Sequence, residues 1–133
     1  MADKRDLTGV WYGRYRSHSD NQNNSFIANL AEAGGLVDGA ISEPNDSRRG
    51  PGDVRHAAVE GRRGGAKLRF IKRYDGSGGF THTVYYSGTI DPEGTTIIGV
   101  WQVDWVRGSF TMQRERFDAA DLEADEEAEL TLR

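Results

Sequence analysis

The chain holds no cysteine among its 133 residues, so neither a disulfide nor a thiolate metal site can contribute to its fold. Proline is nearly as scarce, at 3 residues, while glycine reaches 17, a balance that suits many tight turns and not a disordered linker. No apolar run approaches the roughly 20 residues of a membrane-spanning helix. The opening Met1-Ala2-Asp3-Lys4-Arg5-Asp6 is charged and lacks the apolar stretch of a secretory signal, so a cytoplasmic location is the expectation. A helical period is missing too. Between residues 7 and 116 no stretch repeats apolar positions at helical spacing.

What fills that span is alternation. Eight short stretches place apolar side chains at every second position, separated by Gly- and Asp-rich turns: residues 8–17, 26–31, 36–43, 54–62, 66–74, 81–90, 96–105 and 108–116. On one face they align Trp11, Gly13 and Tyr15; Phe26, Ala28 and Leu30; Val37, Gly39 and Ile41; Leu68, Phe70, Lys72 and Tyr74. The later three align His82, Val84, Tyr86, Gly88 and Ile90; Ile97, Gly99, Trp101, Val103 and Trp105; Phe110, Met112 and Arg114. In the fourth stretch Ala57 and Val59 compete with Val54 and Ala58 for the inner face.

A run of eight strands hides its edges best by closing into an antiparallel up-and-down barrel, wide enough to pack its own centre or hold one small ligand. The even connections, Gly34-Gly35, Arg63-Gly64-Gly65 and Asp91-Pro92-Glu93-Gly94, have tight-turn chemistry. The odd ones include residues 19–24, 43–53 and 75–79, with Val106-Arg107 as the shortest. One rim is therefore expected to be shut by turns and the other framed by longer polar loops. One domain of this length buries about 68% of its unfolded surface. Its expected layout is a lead-in at 1–6, a barrel at 7–117 and an acidic tail at 118–133. Seven acidic residues and no Lys or Arg fall between 118 and 129, which explains most of the net charge of −4. The tail reads as a solvated acidic end or one short helix begun by Asp118, with Leu122 and Leu130 toward the body.

Gly9-x-Trp11 early in the first strand, with Arg114 in the last (Arg116 as second choice of the same parity), resembles the calycin pattern of lipocalins and avidins. The resemblance implies that Trp11 plugs the closed end and Arg114 stacks across it, a cation–π contact of about 0.5–2 kcal/mol. Leu7-Thr8-Gly9-Val10-Trp11-Tyr12, Ser25-Phe26-Ile27, Gly35-Leu36-Val37-Asp38-Gly39 and Tyr86-Ser87-Gly88 are most similar to avidin-type barrels, over half the chain. The biotin site of that family does not carry over. Its strand-one Asn falls on Gly13, its strand-three Tyr and Ser on Ile41 and Glu43, and its late Asp near Gly108, leaving Ser17. Each buried polar group left unpaired costs about 1–3 kcal/mol, so biotin is not the expected ligand.

Tyr15, Lys72, His82, Tyr86, Trp101 and Trp105 form the expected ligand-binding set, with aromatic walls and few convergent polar groups. Strand direction puts Lys72, Tyr74, His82 and Trp105 toward the loop-framed rim, with Tyr15 and Tyr86 deeper. The plainer reading has Tyr86 and Trp101 as core filler and Lys72 reaching out to solvent, which for Lys72 is the favoured one. His82 has no partner at metal-ligand spacing in His56 or His18, so no metal, catalytic residue or cofactor is expected; Asp104 is placed to orient it only if geometry allows.

The cluster Arg48, Arg49, Arg55, Arg62, Arg63, Lys67, Arg69 and Arg73 lacks interleaved aromatics, so nucleic acid is not favoured as a partner. Tyr12, Ile98 and Val100 face outward, as a homo-oligomer interface or as scattered apolar surface. The leading functional expectation is a non-enzymatic barrel for a small aromatic or amphipathic ligand. A barrel isomerase or cyclase using His82 or Tyr86 is one alternative, and a fully packed interaction module the other.

Overall fold

A computed structural model describes residues 3–18, 23–44, 54–79 and 81–115. The acidic tail and Arg116 lie outside the described residues, as do Arg48 and Arg49. Eight strands follow in chain order: β1 Gly9–Ser17, β2 Asn23–Ala33, β3 Leu36–Pro44, β4 Val54–Gly64, β5 Lys67–Tyr74, β6 Thr83–Ile90, β7 Thr96–Val103 and β8 Val106–Gln113. Each pairs antiparallel with its neighbours and β1 also pairs with β8, closing the barrel. Eight expected stretches, eight strands: the all-β up-and-down barrel is the fold.

The inner face carries the alternating apolar residues, from Trp11, Phe26 and Ile41 round to Ile97, Phe110 and Met112. Outward positions mix charged residues, including Arg14, Glu60, Arg62, Arg69 and Arg73, with exposed apolar ones such as Tyr12, Ile27, Tyr85, Ile98 and Val100. Among the described residues no helix is long and apolar enough to cross a membrane.

Two local expectations need correction, and one open alternative is decided. β7 stops at Val103, because Asp104 adopts a positive φ of 50° and opens a two-residue hairpin turn with Trp105. Trp105 is therefore not on the inner face but 89% exposed in that turn, while Val106 and Arg107 begin β8. The undecided β4 turns Arg55, Ala57 and Val59 inward, leaving Val54 and Ala58 outside. Arg63 is no loose member of an outer basic patch. Its guanidinium donates to both Glu32 carboxylate oxygens at 2.6 and 2.9 Å and to Asp3 at 2.8 Å.

The turn-closed end is sealed by chain as well as by side chains. Residues 3–8 cross it, burying Leu7 completely. Trp11 donates its indole N–H to the Leu7 carbonyl at 2.9 Å, and the Arg114 guanidinium lies 4.3 Å over the indole ring. Arg114 also donates to the carbonyls of Gly94 (2.8 Å), Thr8 (3.1 Å), Lys4 (3.3 Å) and Asp6 (2.5 Å). A cation held by four carbonyls and an aromatic face fixes the lead-in to the barrel.

Candidate ligand-binding site

The opposite rim surrounds a cavity of about 360 Å³, near the lower end of small-ligand sites. Strand direction explains its membership. β1, β5 and β7 end here and β2, β4, β6 and β8 begin here, contributing among others Tyr15, Arg55, Lys72, Tyr74, Tyr86 and Trp101. The sequence-expected Tyr15, Lys72, His82, Tyr86 and Trp101 all line it, and Trp105 does not.

The aromatic wall is ordered by edges and stacks. Tyr15 meets Trp101 edge-on at 6.0 Å between centroids, and Tyr86 stacks on Phe70 at 4.6 Å, with Phe110 edge-on beneath at 5.1 Å. The Trp101 indole N–H is shared between the carbonyls of Arg16 and Ser109, both at 3.2 Å, which fixes the ring plane. Gly13 owes its identity to this packing. A Cβ there would stand 2.1 Å from the Phe26 ring, so that ring occupies the space a side chain at this position would need.

Beneath the wall lies a polar cluster that sequence reading missed. Glu43, wholly buried on β3, accepts from Lys72 Nζ at 2.5 Å, from the Tyr74 hydroxyl at 2.8 and 3.0 Å, and from the Tyr15 hydroxyl at 3.2 Å. Arg55 Nε stands 3.4 Å from the second Glu43 oxygen, and Arg55 Nη2 donates to the Tyr15 hydroxyl at 3.4 Å. Lys72 does not reach out to solvent as favoured from sequence. Only 1% exposed, it turns inward, where its ammonium sits 4.6 Å from the Tyr15 and Tyr74 rings and 5.2 Å from that of Tyr86. Burying an unpaired ammonium costs far more than a strained path to solvent saves, and Glu43 supplies the partner that parity alone did not reveal. One signal was available: Glu43 is in phase with Val37 and Ile41, and Arg55 with Ala57 and Val59.

Burial governs the protonation chemistry. Loss of solvent pushes the Lys72 ammonium down to about 8, against the pull of Glu43 and aided by the charge of Arg55. Burial, then the Glu43 charge, pushes the Tyr15 phenol up to about 12, and burial raises Tyr74 and Tyr86 as well. His82 lies at the lip with its ring 4.8 Å from that of Tyr74. Partial burial and then the Lys72 charge hold its imidazolium below the usual range, so it contributes a neutral ring there. His18 and His56 stand exposed and apart from the cavity, His56 within 3.3 Å of the Ser42 hydroxyl.

A wider concavity of about 1050 Å³ is lined by exposed Leu36, Arg62, Arg69, Tyr85 and Val100 and also by the buried Phe70, Tyr86 and Trp101. Tyr86 and Trp101 reach both spaces, but only the rim cavity adds the buried charged side chains Lys72 and Arg55, which makes it the stronger candidate for specific recognition.

No protein-family model matches the sequence, and no curated protein matches it either. Solved structures do match in fold. A redesigned beta barrel, b11L5F_LGL, superposes with a TM-score of 0.70 at 14% identity, over 86% of this chain and 96% of that one. A second redesigned beta barrel, mFAP1, bound to DFHBI, gives a TM-score of 0.67 at 15% identity, over 86% of this chain and all of that one. At such identities the likeness establishes the barrel alone.

Proposed function

We propose that this barrel is a non-enzymatic binding protein, calycin-like in plan, that takes a small aromatic or amphipathic molecule through its loop-framed rim. The observation that carries this reading is the rim cavity itself, where Tyr15, Tyr86 and Trp101 form walls above the buried Glu43–Lys72–Arg55 cluster. Planar walls favour a ring, and a few oriented polar groups at the floor favour a polar end on that ring. The barrel likeness to mFAP1, which is bound to DFHBI, supports the plan of a ligand held in such a barrel. The Trp11–Arg114 stack at the far end supports the calycin comparison.

Titration with naphthalenemethanol and naphthoate, followed by calorimetry and by tryptophan emission in a Trp105→Phe background, tests the reading. Saturable binding that disappears in Val103→Trp, where an indole fills the rim, is the expected result. Heat and emission unchanged by either probe would overturn it, and binding that survives Val103→Trp would move the site elsewhere.

A further inference from the structure

We propose that Lys72 captures carbonyl compounds, holding an aromatic aldehyde in the rim cavity as a reversible imine with Glu43 as proton carrier and counter-ion. The inference rests on the binding-cup reading and names its ligand class. Lys72 is one of only three lysines, with Lys4 and Lys67, and it alone lines the cavity. Its Nζ lies among the rings of Tyr15, Tyr74 and Tyr86, so an aldehyde carbon attached to a planar ring can approach the amine while the ring stays between aromatic walls. An amine in such a site needs a base to free its lone pair, and Glu43 stands at 2.5 Å.

The chemistry balances without any further reagent. Glu43 takes a proton from the Lys72 ammonium, and the amine nitrogen attacks the carbonyl carbon, forming the C–N bond of a carbinolamine. Glu43 returns that proton to the carbinolamine alkoxide, then takes a second proton from the carbinolamine nitrogen and passes it to the hydroxyl. The C–O bond breaks, one water leaves, and a protonated imine remains beside the Glu43 carboxylate. The cation has moved from an ammonium to an iminium at the same nitrogen, so the buried charge count does not change.

Local electrostatics favour the first step. With Lys72 protonated, Lys72, Arg55 and Glu43 carry one surplus positive charge in a region of low dielectric, and burial already holds the ammonium down to about 8. At neutral pH the uncharged amine at Lys72 is about two hundredfold more abundant than at a lysine of ordinary pKa near 10.4. Tyr74, which donates to both Glu43 oxygens, keeps the carboxylate oriented between its two tasks.

The native full chain is incubated with naphthaldehyde, treated with sodium cyanoborohydride, and read by intact mass and peptide mapping. One reductive adduct on the Lys72 peptide, formed about tenfold or more faster than any at Lys4 and Lys67, is expected. Lys72→Met should remove it; should that variant fail to fold, the peptide map of the native chain decides alone. No adduct, or equal labelling of the three lysines, overturns imine capture. Naphthalenemethanol, which has no carbonyl, separates the two ideas. Its binding without any Lys72 adduct leaves the cup and removes the imine; absence of both removes both.

Discussion

Lys72 Nζ lies 2.5 Å from Glu43 Oε1 although β4 stands between their strands, so the pair meets over the inner face of β4 and not along a sheet ladder. Charges that meet over an intervening strand tie together two strands that share no backbone hydrogen bond. Lys72 of this pair also lines the rim cavity.

Removing one partner of that pair leaves an uncompensated buried charge. Glu43→Ala should cost about 3–5 kcal/mol, read as a lowered midpoint in urea. Adding Lys72→Met to it should recover a large part of the loss. Equal stability of wild type and Glu43→Ala would show that the pair contributes nothing to the fold.

The phenols give a pH prediction. Tyr15 is pushed up to about 12, and Tyr74 and Tyr86 are raised too, chiefly by burial. In the unfolded chain each ionises near pH 10. Above about pH 10 the unfolded state sheds protons that the barrel retains, so stability is intact below that point and declines toward about pH 12. Spectrophotometric titration should find three of the five tyrosines resisting ionisation until the circular dichroism of the barrel is lost. All five titrating together in a folded barrel would contradict the buried network.

Arg114 is held by geometry that lysine cannot copy. Arg114→Lys keeps the charge but gives up the planar fork that serves four carbonyls and the Trp11 face. A loss of at least about 1.5–3 kcal/mol is expected, the value of one charge-assisted hydrogen bond. Hydrogen exchange should report loosening of residues 3–8 before the strands.

Close backbone approach sets two glycines apart. A Cβ at Gly99 would stand 2.0 Å from the Ser87 carbonyl oxygen, whereas one at Gly64 meets nothing within 4 Å. Gly99→Ala should therefore destabilise by about 1–3 kcal/mol or more, and Gly64→Ala by less than about 0.5 kcal/mol. Thermal melts of the two variants side by side make the comparison.

The indoles divide by place. Trp105→Ser should leave stability within about 0.5 kcal/mol, and its loss should remove most of the emission that acrylamide quenches. Trp11 and Trp101, both buried, should account for the protected remainder.

Much of the barrel was legible because a strand announces itself locally. Period-two alternation places Trp11, Tyr15, Tyr86 and Trp101 on one face whatever the neighbouring strands do, and Gly34-Gly35 marks a turn from two residues alone. Trp105 escaped for an equally local reason. Alternation extends past a strand end on paper, but a left-handed Asp104 stops it. Glu43 and Arg55 escaped for a different one. A charged residue in phase with an apolar face reads as an error or a strand end until its partner is known, and the partners lie on other strands.

By itself, then, the order of residues determined the number of strands, their parity and which rim is closed by turns, since each depends on neighbours within a few positions. Only the closed tertiary structure decided that Lys72 turns inward, that Glu43 receives it together with two phenols, and that Arg63 and Arg114 pin the lead-in. Those outcomes depend on barrel closure and register, which bring residues from distant strands within hydrogen-bond distance, and the cost of leaving a charge alone in a low-dielectric interior then selects the pairs.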